Sequence, residues 1–545
     1  MRIRGLIAAL AVVLTVLLSL DVIYLPVIKD IEATNFSAER VKRDIEIISQ
    51  RPHSIEHPVE RSQVRDYLAQ RLSESGFEVE YYNYDSVIDR FGRGIDIANL
   101  YTVCEPLGDT ADSYVLLMAH LDSRFGNMVK GSMVYSYGAA DDGYGLGAIL
   151  ELSSLALNYR ERWSQGLKIL FTDSEESNLE GIRYALKEDN HIFDNVGLVI
   201  NIDARGVRGP AILFETSPGN EGVIDLYSKA RAPFAFSLTS AVYKILPNFT
   251  DFSPVKEIYP GMNFAVIEDL NYYHTNLDNF ENISLRSIQH YGEQIEPVLK
   301  EYLINPKYKD PSVLLKKSDK LYFTMPYLGL FRLSRSCYLS LKVLVLILFS
   351  IVSIFLLKQR RVLFNHLITI MILNICLIAL ISGFAYIISA IAAYANGLDF
   401  KIINLAFIKG DRIITISTLI ISLALYSLFY LHYIRTGRYK PIHFLSTGII
   451  TLYLLSVISF ILTGDSVIFF IALLPSVLVY LSSLFNFSKL ISLGAVIITL
   501  LFATPLLISL YFALALGALF ILIPLVTLFV WVLAPAIHSF ISGDI

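Results

Sequence analysis

"GLKILFTDSEESNLEG", residues 166–181, joins a buried apolar run of strand length to a helix through an acidic turn. The run "GLKILFT" shows no alternation of wet and dry positions, so it reads as a strand covered on both faces. "LEGIRYALKE" behind it has helical spacing. Strand, turn and helix in succession form the unit of an α/β domain. The turn holds Glu175 and Glu176 side by side. Taken alone, "SEE" is an ordinary helix start, with serine as cap and the acids meeting the positive end of the helix dipole.

The same plan recurs on either side. "SYVLLMAHLDS" (113–123) is a buried run whose C-terminal end carries His120 and Asp122, and "VGLVINIDARG" (196–206) is another with Asp203 near its end. "GAADDGYGLGAILELSSLAL" (138–157) is a tight glycine-rich turn running into a helix. Upstream, "SAERVKRDIEIISQ" has the pattern of an amphipathic helix capped by Ser37. A second helix, "HPVERSQVRDYLAQRLSESGF", closes at Gly76, and "EVEYYNYDS" then alternates like a strand. Alternating buried strands and helices predict an α/β domain with a largely parallel sheet. Sites in such sheets form where the strands end, and here the ends carry "HLD", "EE" and "NID".

Composition divides the chain. Of 545 residues, 54% are hydrophobic and 17% charged, with a mean hydropathy of +0.54, too apolar for an ordinary soluble protein. Residues 30–335 carry regularly spaced charges and turn residues and read as a globular domain. Residues 336–545 read as an all-α, multi-span transmembrane domain of about seven helices, near 338–357, 363–391, 413–433, 443–463, 467–486, 490–509 and 513–535. Each is close to the ~20 residues that a helix rising ~1.5 Å per residue needs to cross hydrocarbon. Within "LLISLYFALALG" (506–517) two helices meet with almost no linker.

Residues 1–29, with "GLIAALAVVLTVLLSL" behind Arg2 and Arg4, read as an uncleaved transmembrane anchor, because no clear small-x-small site precedes "DVIYLPVIKD". "KQRR" (358–361) and "RTGRYK" (435–440) fall on one side of the bilayer if the spans alternate, and the positive-inside rule makes that side cytoplasmic. The expectation is a multi-pass membrane protein with residues 30–335 on the other side: periplasmic or extracellular in a bacterium, lumenal in a eukaryote. Three cysteines make no disulfide framework. A net charge of −4 speaks against a nucleic-acid partner.

The polar residues at the strand ends each have a bland explanation. His120 suits a hydrogen-bonded core histidine, Asp141 and Asp142 suit turn formers that cap the next helix, Asp203 a loop cap and His274 a surface residue. Taken together, two imidazoles and three carboxylates in one domain suit a pair of divalent cations of zinc's type, and the absence of cysteine points to a catalytic centre rather than a structural thiolate site.

"HLDS", "GAADDGYG", "FTDSEESNLEG", "NIDARG" and "YHTNLDNFENIS", in this order over about residues 60–300, resemble the co-catalytic zinc exopeptidases that include aminopeptidase Y and the glutamate carboxypeptidases, metallopeptidase family twenty-eight. The anchor and tail further resemble its membrane-tailed endoplasmic reticulum metallopeptidase subgroup. The resemblance implies a mixed, largely parallel sheet with helices on both faces, of the phosphorylase/hydrolase-like kind, and two Zn2+ per chain. It makes His120 and Asp203 the ligands of one ion, Glu176 and His274 those of the other, and Asp141 the bridge. Glu175 becomes the general base acting on a bridging water, Asp122 orients His120, and Tyr273 is a donor to the tetrahedral oxyanion. "TDFSPVKEIYPGMNFAVIE" (250–268) is similar to the family's substrate-facing stretch.

The expected activity is hydrolysis of peptides by a membrane-anchored dizinc exopeptidase, an aminopeptidase by preference, with a dipeptidase or carboxypeptidase as the alternative. A metal-free receptor or scaffold on the same fold loses ligands, whereas all five and the base are present here. A transporter role for the tail finds few intramembrane charges, with Lys342 near one end of its helix. The tail therefore reads as an anchor or packing scaffold.

Overall fold

The structure, a computed structural model, describes residues 2–545 except 109, 130, 244–247, 401–407, 409, 486–487 and 543–545. In chain order, the apolar helix α1 (Arg2–Ser19) precedes helices α2 (Ala38–Ile48) and α3 (Pro58–Glu74). Strands β1 (Val79–Ile88), β2 (Gly94–Cys104), β3 (Tyr114–His120), β4 (Asn127–Val129) and β5 (Ser132–Val134) come next, then α4 (Gly143–Leu157), β6 (Gly166–Thr172), the one-turn helix α5 (Glu175–Asn178) and α6 (Glu180–Glu188). They are followed by β7 (Val196–Ala204), β8 (Arg208–Thr216), α7 (Glu221–Tyr227), α8 (Ser237–Tyr243), β9 (Gly261–Glu268), α9 (Leu285–Ile304), β10 (Lys320–Met325) and β11 (Gly329–Ser334).

Seven of these strands make one mixed sheet in the order β1-β2-β6-β3-β7-β9-β8. Its centre, β6-β3-β7-β9, is parallel, and β2, β1 and β8 add to it antiparallel. The apolar run of β3 explains itself in this setting. Val115, Leu117 and Ala119 face a core shared with α2, α3, α4 and α9, while Leu116 and Met118 face a second core with Ile182 and Ala185 of α6. With helices on both faces no strand position is wet, so period-2 alternation disappears. Even Lys168 of β6 is buried, and its Nζ donates to the carbonyls of Ile192 (2.9 Å) and Asp194 (2.7 Å). The parallel strands end at one edge of the sheet, and the register sets His120 beside Thr172.

The two upstream helices form as their spacing predicts, with one difference in capping. Ser37 occupies the N-cap of α2, but its hydroxyl donates to the carbonyl of Lys29 (3.0 Å) rather than accepting from the helix. Gly76 follows α3 with φ +93°, the left-handed conformation that glycine adopts without cost.

The chain divides into two units: Ile23–Thr324 with Gly329–Ser334, which holds the sheet, and Met1–Val22, Met325–Leu328 and Arg335–Ile545, which is helical. The helical unit comprises α1 and α10 (Arg335–Lys358), α11 (Phe364–Ala395), α12 (Asp411–Arg435), α13 (Pro441–Thr463), α14 (Val467–Ser482), α15 (Ser488–Leu514) and α16 (Leu519–Ser542). Among the described residues, seven helices, the N-terminal one included, are long and apolar enough to cross a membrane, whereas α14 is shorter at 16 residues. Residue 486, the end of the span expected at 467–486, lies outside the described residues. Between α15 and α16 stand only Ala515 and one 3-10 turn, Leu516–Ala518. Lys342 of α10 is buried, its Nζ donating to Ser456 O and Ser466 Oγ, each at 3.2 Å.

Candidate active site

The turn after β6 is not an ordinary helix start. Ser174 stands at φ +62° with no capping hydrogen bond, and Leu179, at φ +62°, closes α5 after a single turn. Two non-glycine residues in the left-handed region bracket the doublet, a conformation held only where surroundings over-determine it. Those surroundings are visible. The Asp122 carboxylate accepts the N–H groups of Glu175 (2.9 Å) and Glu176 (3.3 Å), doing from a neighbouring strand what Ser174 does not. Buried Asp173 is held by Arg61 (3.2 Å), Arg65 (3.4 Å) and the N–H of Ala98 (2.9 Å). Gly181 donates to the Asp173 carbonyl (2.9 Å), and a Cβ at Gly181 would collide with that same oxygen.

Two donor sets converge above this edge of the sheet. His120, Asp141 and Asp203 each offer an atom, all within 4.8 Å of one another, and Asp141, Glu176 and His274 do the same. Asp141 belongs to both: its Oδ1 lies 3.1 Å from His120 Nε2 and its Oδ2 lies 3.3 Å from His274 Nε2. His274 Nε2 is also 2.9 Å from Glu176 Oε1. Yet Asp141 Oδ2, Glu176 Oε1 and His274 Nε2 are buried without a hydrogen-bond partner. The three atoms lie close together, yet none satisfies another with a hydrogen bond. Leaving such groups unsatisfied costs a few kcal/mol apiece, and a cation that takes imidazole nitrogen and carboxylate oxygen fits the set.

The doublet divides electrostatically. Burial drives the Glu175 carboxyl well above the usual range, with Asp251 and Glu176 adding to the effect and His120 opposing it. For Glu176 burial pushes up too, but His274 and Arg124 outweigh it and hold the carboxylate well below that range. Environments that push two adjacent carboxyls apart suit different roles, a proton carrier and a fixed anion. Burial, with Asp141 second, raises Asp203 to about 7. No protein group hydrogen-bonds the half-buried Glu175 side chain among the described residues.

His120 meets Asp122 through a different atom from the one its residue type suggests. The nearest acceptor to His120 Nδ1 is the Asp122 main-chain carbonyl at 2.9 Å, with the carboxylate at 3.6 Å. The Tyr273 ring stacks on the His274 ring at 3.5 Å between centroids. His274 itself stands at φ +59°.

Four further residues brace the donor sets, three of which, Asp278, Arg124 and Asp251, were not singled out in the sequence. Asp142 caps α4 through Gly145 N (3.0 Å), the bland role expected of it, and also accepts from His120 N (3.2 Å). Asp278 takes Ser136 Oγ (2.9 Å), Ala140 N (2.7 Å) and Asp141 N (3.3 Å), tying the His274 turn to the loop that carries Asp141. Arg124 reaches Glu176 through both its carboxylate (2.7 Å) and its carbonyl (3.1 Å). Asp251 accepts from Thr172 Oγ1 at the end of β6, its other oxygen buried without a partner, so the 250–268 stretch touches the site's floor. Position was the available signal: Asp278 lies inside "YHTNLDNFENIS" and Arg124 directly follows "HLDS".

Residues 101–299 match Peptidase family M28. Endoplasmic reticulum metallopeptidase 1 of Mus musculus is 31% identical over 211 residues, covering 38% of this chain and 22% of that protein. Vacuolar membrane protease of Candida tropicalis is 27% identical over 261 residues, 45% of this chain and 27% of that protein. The chain thus spans about a quarter of the length of these relatives. Among solved structures, Porphyromonas gingivalis glutaminyl cyclase aligns with TM-score 0.42 at 20% identity, covering 50% of this chain and 100% of that one. A Zn-dependent exopeptidase from Parabacteroides distasonis aligns with TM-score 0.39 at 19% identity, covering 50% and 99%.

Proposed function

We infer, from the Peptidase M28 domain at residues 101–299, that this chain is a membrane-anchored dizinc exopeptidase, an aminopeptidase by preference. The observation that carries the reading is the pair of donor sets joined at Asp141, with three buried ligand-type atoms left without hydrogen bonds. His120 and Asp203 would hold one ion and Glu176 and His274 the other, with Asp141 common to both donor sets. Zinc bound there supplies Lewis-acid polarisation of the scissile carbonyl and acidification of water. The chain's own residues do the rest. Glu175, whose side chain has no hydrogen-bond partner among the described residues and whose carboxylate burial makes more basic, takes a proton from the attacking water in its ionised form and returns it to the departing amine. Asp122 fixes the backbone of the doublet by accepting the N–H groups of both Glu175 and Glu176. Tyr273, fixed by its stack on His274, donates its hydroxyl to the oxyanion.

The seven helices among the described residues that are long and apolar enough to cross a membrane would anchor the domain, and the positive clusters at 358–361 and 435–440 support a non-cytoplasmic position for it. The test is zinc content and turnover of the full chain in detergent against aminoacyl, dipeptide and N-blocked substrates. Two zinc ions per chain with cleavage only of free N-termini supports the aminopeptidase reading. Cleavage restricted to free C-termini replaces it with a carboxypeptidase, and a metal-free inert chain sinks it.

A further inference from the structure

The turn between β1 and β2, "DRFGR" (89–93), is unusually well tied for an exposed loop. The buried Asp89 carboxylate accepts from Phe91 N, Arg93 N and Arg93 Nε, each at 2.8 Å, and Gly92 turns at φ +76°. The main-chain N–H of Arg90 then donates to Ser177 Oγ (3.2 Å), which pins the turn to α5, the helix that carries Glu175 and Glu176. A loop built this way presents its side chains at a fixed distance from the doublet.

Those side chains interleave arginine with phenylalanine. The Phe91 and Phe125 rings meet edge to face at 5.0 Å, Arg93 lies over Phe91 (4.7 Å) and Arg124 over Phe125 (3.9 Å). Two of the three cations are answered: Arg93 by Asp89 (2.8 Å) and Glu56 (3.3 Å), Arg124 by Glu176 (2.7 Å). Arg90 is not. Its guanidinium lies 5.3 Å from the Phe125 centroid and 5.8 Å from that of Phe91, and no carboxylate pairs with it among the described residues. Phe91 is 51% exposed, a large ring kept in water at the same spot.

An unpaired surface arginine is ordinary by itself. One that is stacked on rings, on a turn anchored to the reacting helix, has already lost much of the freedom that binding costs. Its free fork matches a carboxylate in two hydrogen bonds, and the exposed ring beside it offers apolar contact to the peptide that carries the carboxylate. We propose that Arg90, flanked by Phe91 and Phe125, is a substrate subsite for a carboxylate borne by the peptide away from the bond being cut. The proposal rests on the peptidase reading and narrows its substrate class to peptides with an acidic side chain or a free C-terminus within reach of the β1–β2 turn.

The experiment uses the zinc-loaded full chain in detergent with four peptides: Ala-Ala-Asn-Ala and Ala-Ala-Asp-Ala, each as free acid and as C-terminal amide. A carboxylate lowers KM about tenfold relative to the neutral Asn amide, with kcat little changed, and added salt erodes the advantage. If the Asp amide shows the gain, the ligand is the side chain; if the Asn acid shows it, the ligand is the C-terminus. Arg90→Ala collapses the ratio, Arg90→Lys keeps part of it, and Arg90→Glu reverses it. Cleavage with no preference among the four peptides overturns the proposal and leaves the peptidase reading standing, as does an Arg90→Glu variant with an unchanged ratio. Should no peptide be cut, anisotropy of the same peptides, fluorescently labelled, on the Glu175→Gln variant decides: binding that needs both the carboxylate and Arg90 upholds the subsite, and binding indifferent to them removes it.

Discussion

The two donor sets share Asp141 and differ in what carries their other residues. His120 ends β3 and Asp203 lies in β7, adjacent central strands whose parallel pairing fixes their relative height. Glu176 sits on a one-turn helix between two residues at positive φ, and His274 is itself in the left-handed region. The strand-borne set is positioned by the sheet's own hydrogen bonds. The loop-borne set is positioned by side chains: Asp122 on the doublet's N–H groups and Arg124 on Glu176, with Asp278 bridging the His274 turn to the Asp141 loop. A sheet supplies rigidity as part of folding, whereas a turn needs dedicated partners, which is why buried acids and arginine crowd one half of the centre.

Substitutions separate the halves. Asp141→Ala removes the residue common to both sets, so the expected zinc content falls from two toward zero and turnover is lost, as metal analysis on the purified chain will read. A variant that retains two ions breaks the shared-ligand geometry. Glu175→Gln is expected to keep both ions while turnover falls about 10³-fold; full activity would end the assignment of Glu175 as base. Glu176→Ala is expected to lose one ion and Asp203→Ala the other. If either empties both sites, the sets are not separable halves.

Asp278→Asn probes the support rather than the ligands. An amide cannot accept all three of the Asp278 donors, so the Asp141 loop loosens and zinc affinity is expected to drop about 10- to 100-fold in both sets alike, measured by competition with a chelator. A drop confined to one set contradicts a role exercised through Asp141.

The smallest expected effect lies in the scaffold beneath both sets. His290 of α9 accepts from Ala211 N through Nδ1 (3.0 Å), and its Nε2 lies 3.0 Å from the Ala232 carbonyl, so the neutral ring is the one that fits. Burial lowers its pKa from 6.5 to about 4. A folded-state value below the unfolded one contributes stability that is complete above pH 6.5 and drains away as pH falls toward 4. The expected loss is about 1 kcal/mol by pH 5.5, and His290→Gln is expected to flatten that slope in denaturant titrations. An unchanged slope assigns the acid sensitivity elsewhere.

Much of this was legible in the chain because the α/β plan writes itself as period and punctuation. β3, β6 and β7 were readable as continuous apolar runs, and their polar ends marked the site. The linker between α15 and α16 was as short as the unbroken apolar text implied. What escaped were contacts between distant segments. Nothing near Ser174 reveals that its capping role passes to Asp122, 52 residues earlier in the chain, because the substitution depends on β3 lying next to β6. Arg124 and Asp278 meet partners 52 and 137 residues away along the chain, which their own surroundings in the sequence do not mark. That Arg90, alone of the three arginines around Phe91 and Phe125, has no carboxylate partner among the described residues is likewise a statement about pairing in space.

Sequence by itself determined the elements, their alternation, the division between a globular and an apolar region, and the residue types at the strand ends. These are local properties: periodicity, propensity and chemistry travel with the residues. Tertiary structure alone decided that five of those residues converge on two sets with a common aspartate, and that adjacent glutamates are driven to opposite protonation preferences. The physical reason is that metal affinity and pKa depend on distances and burial of a few ångströms, which arise when strands from different parts of the chain pair in one register.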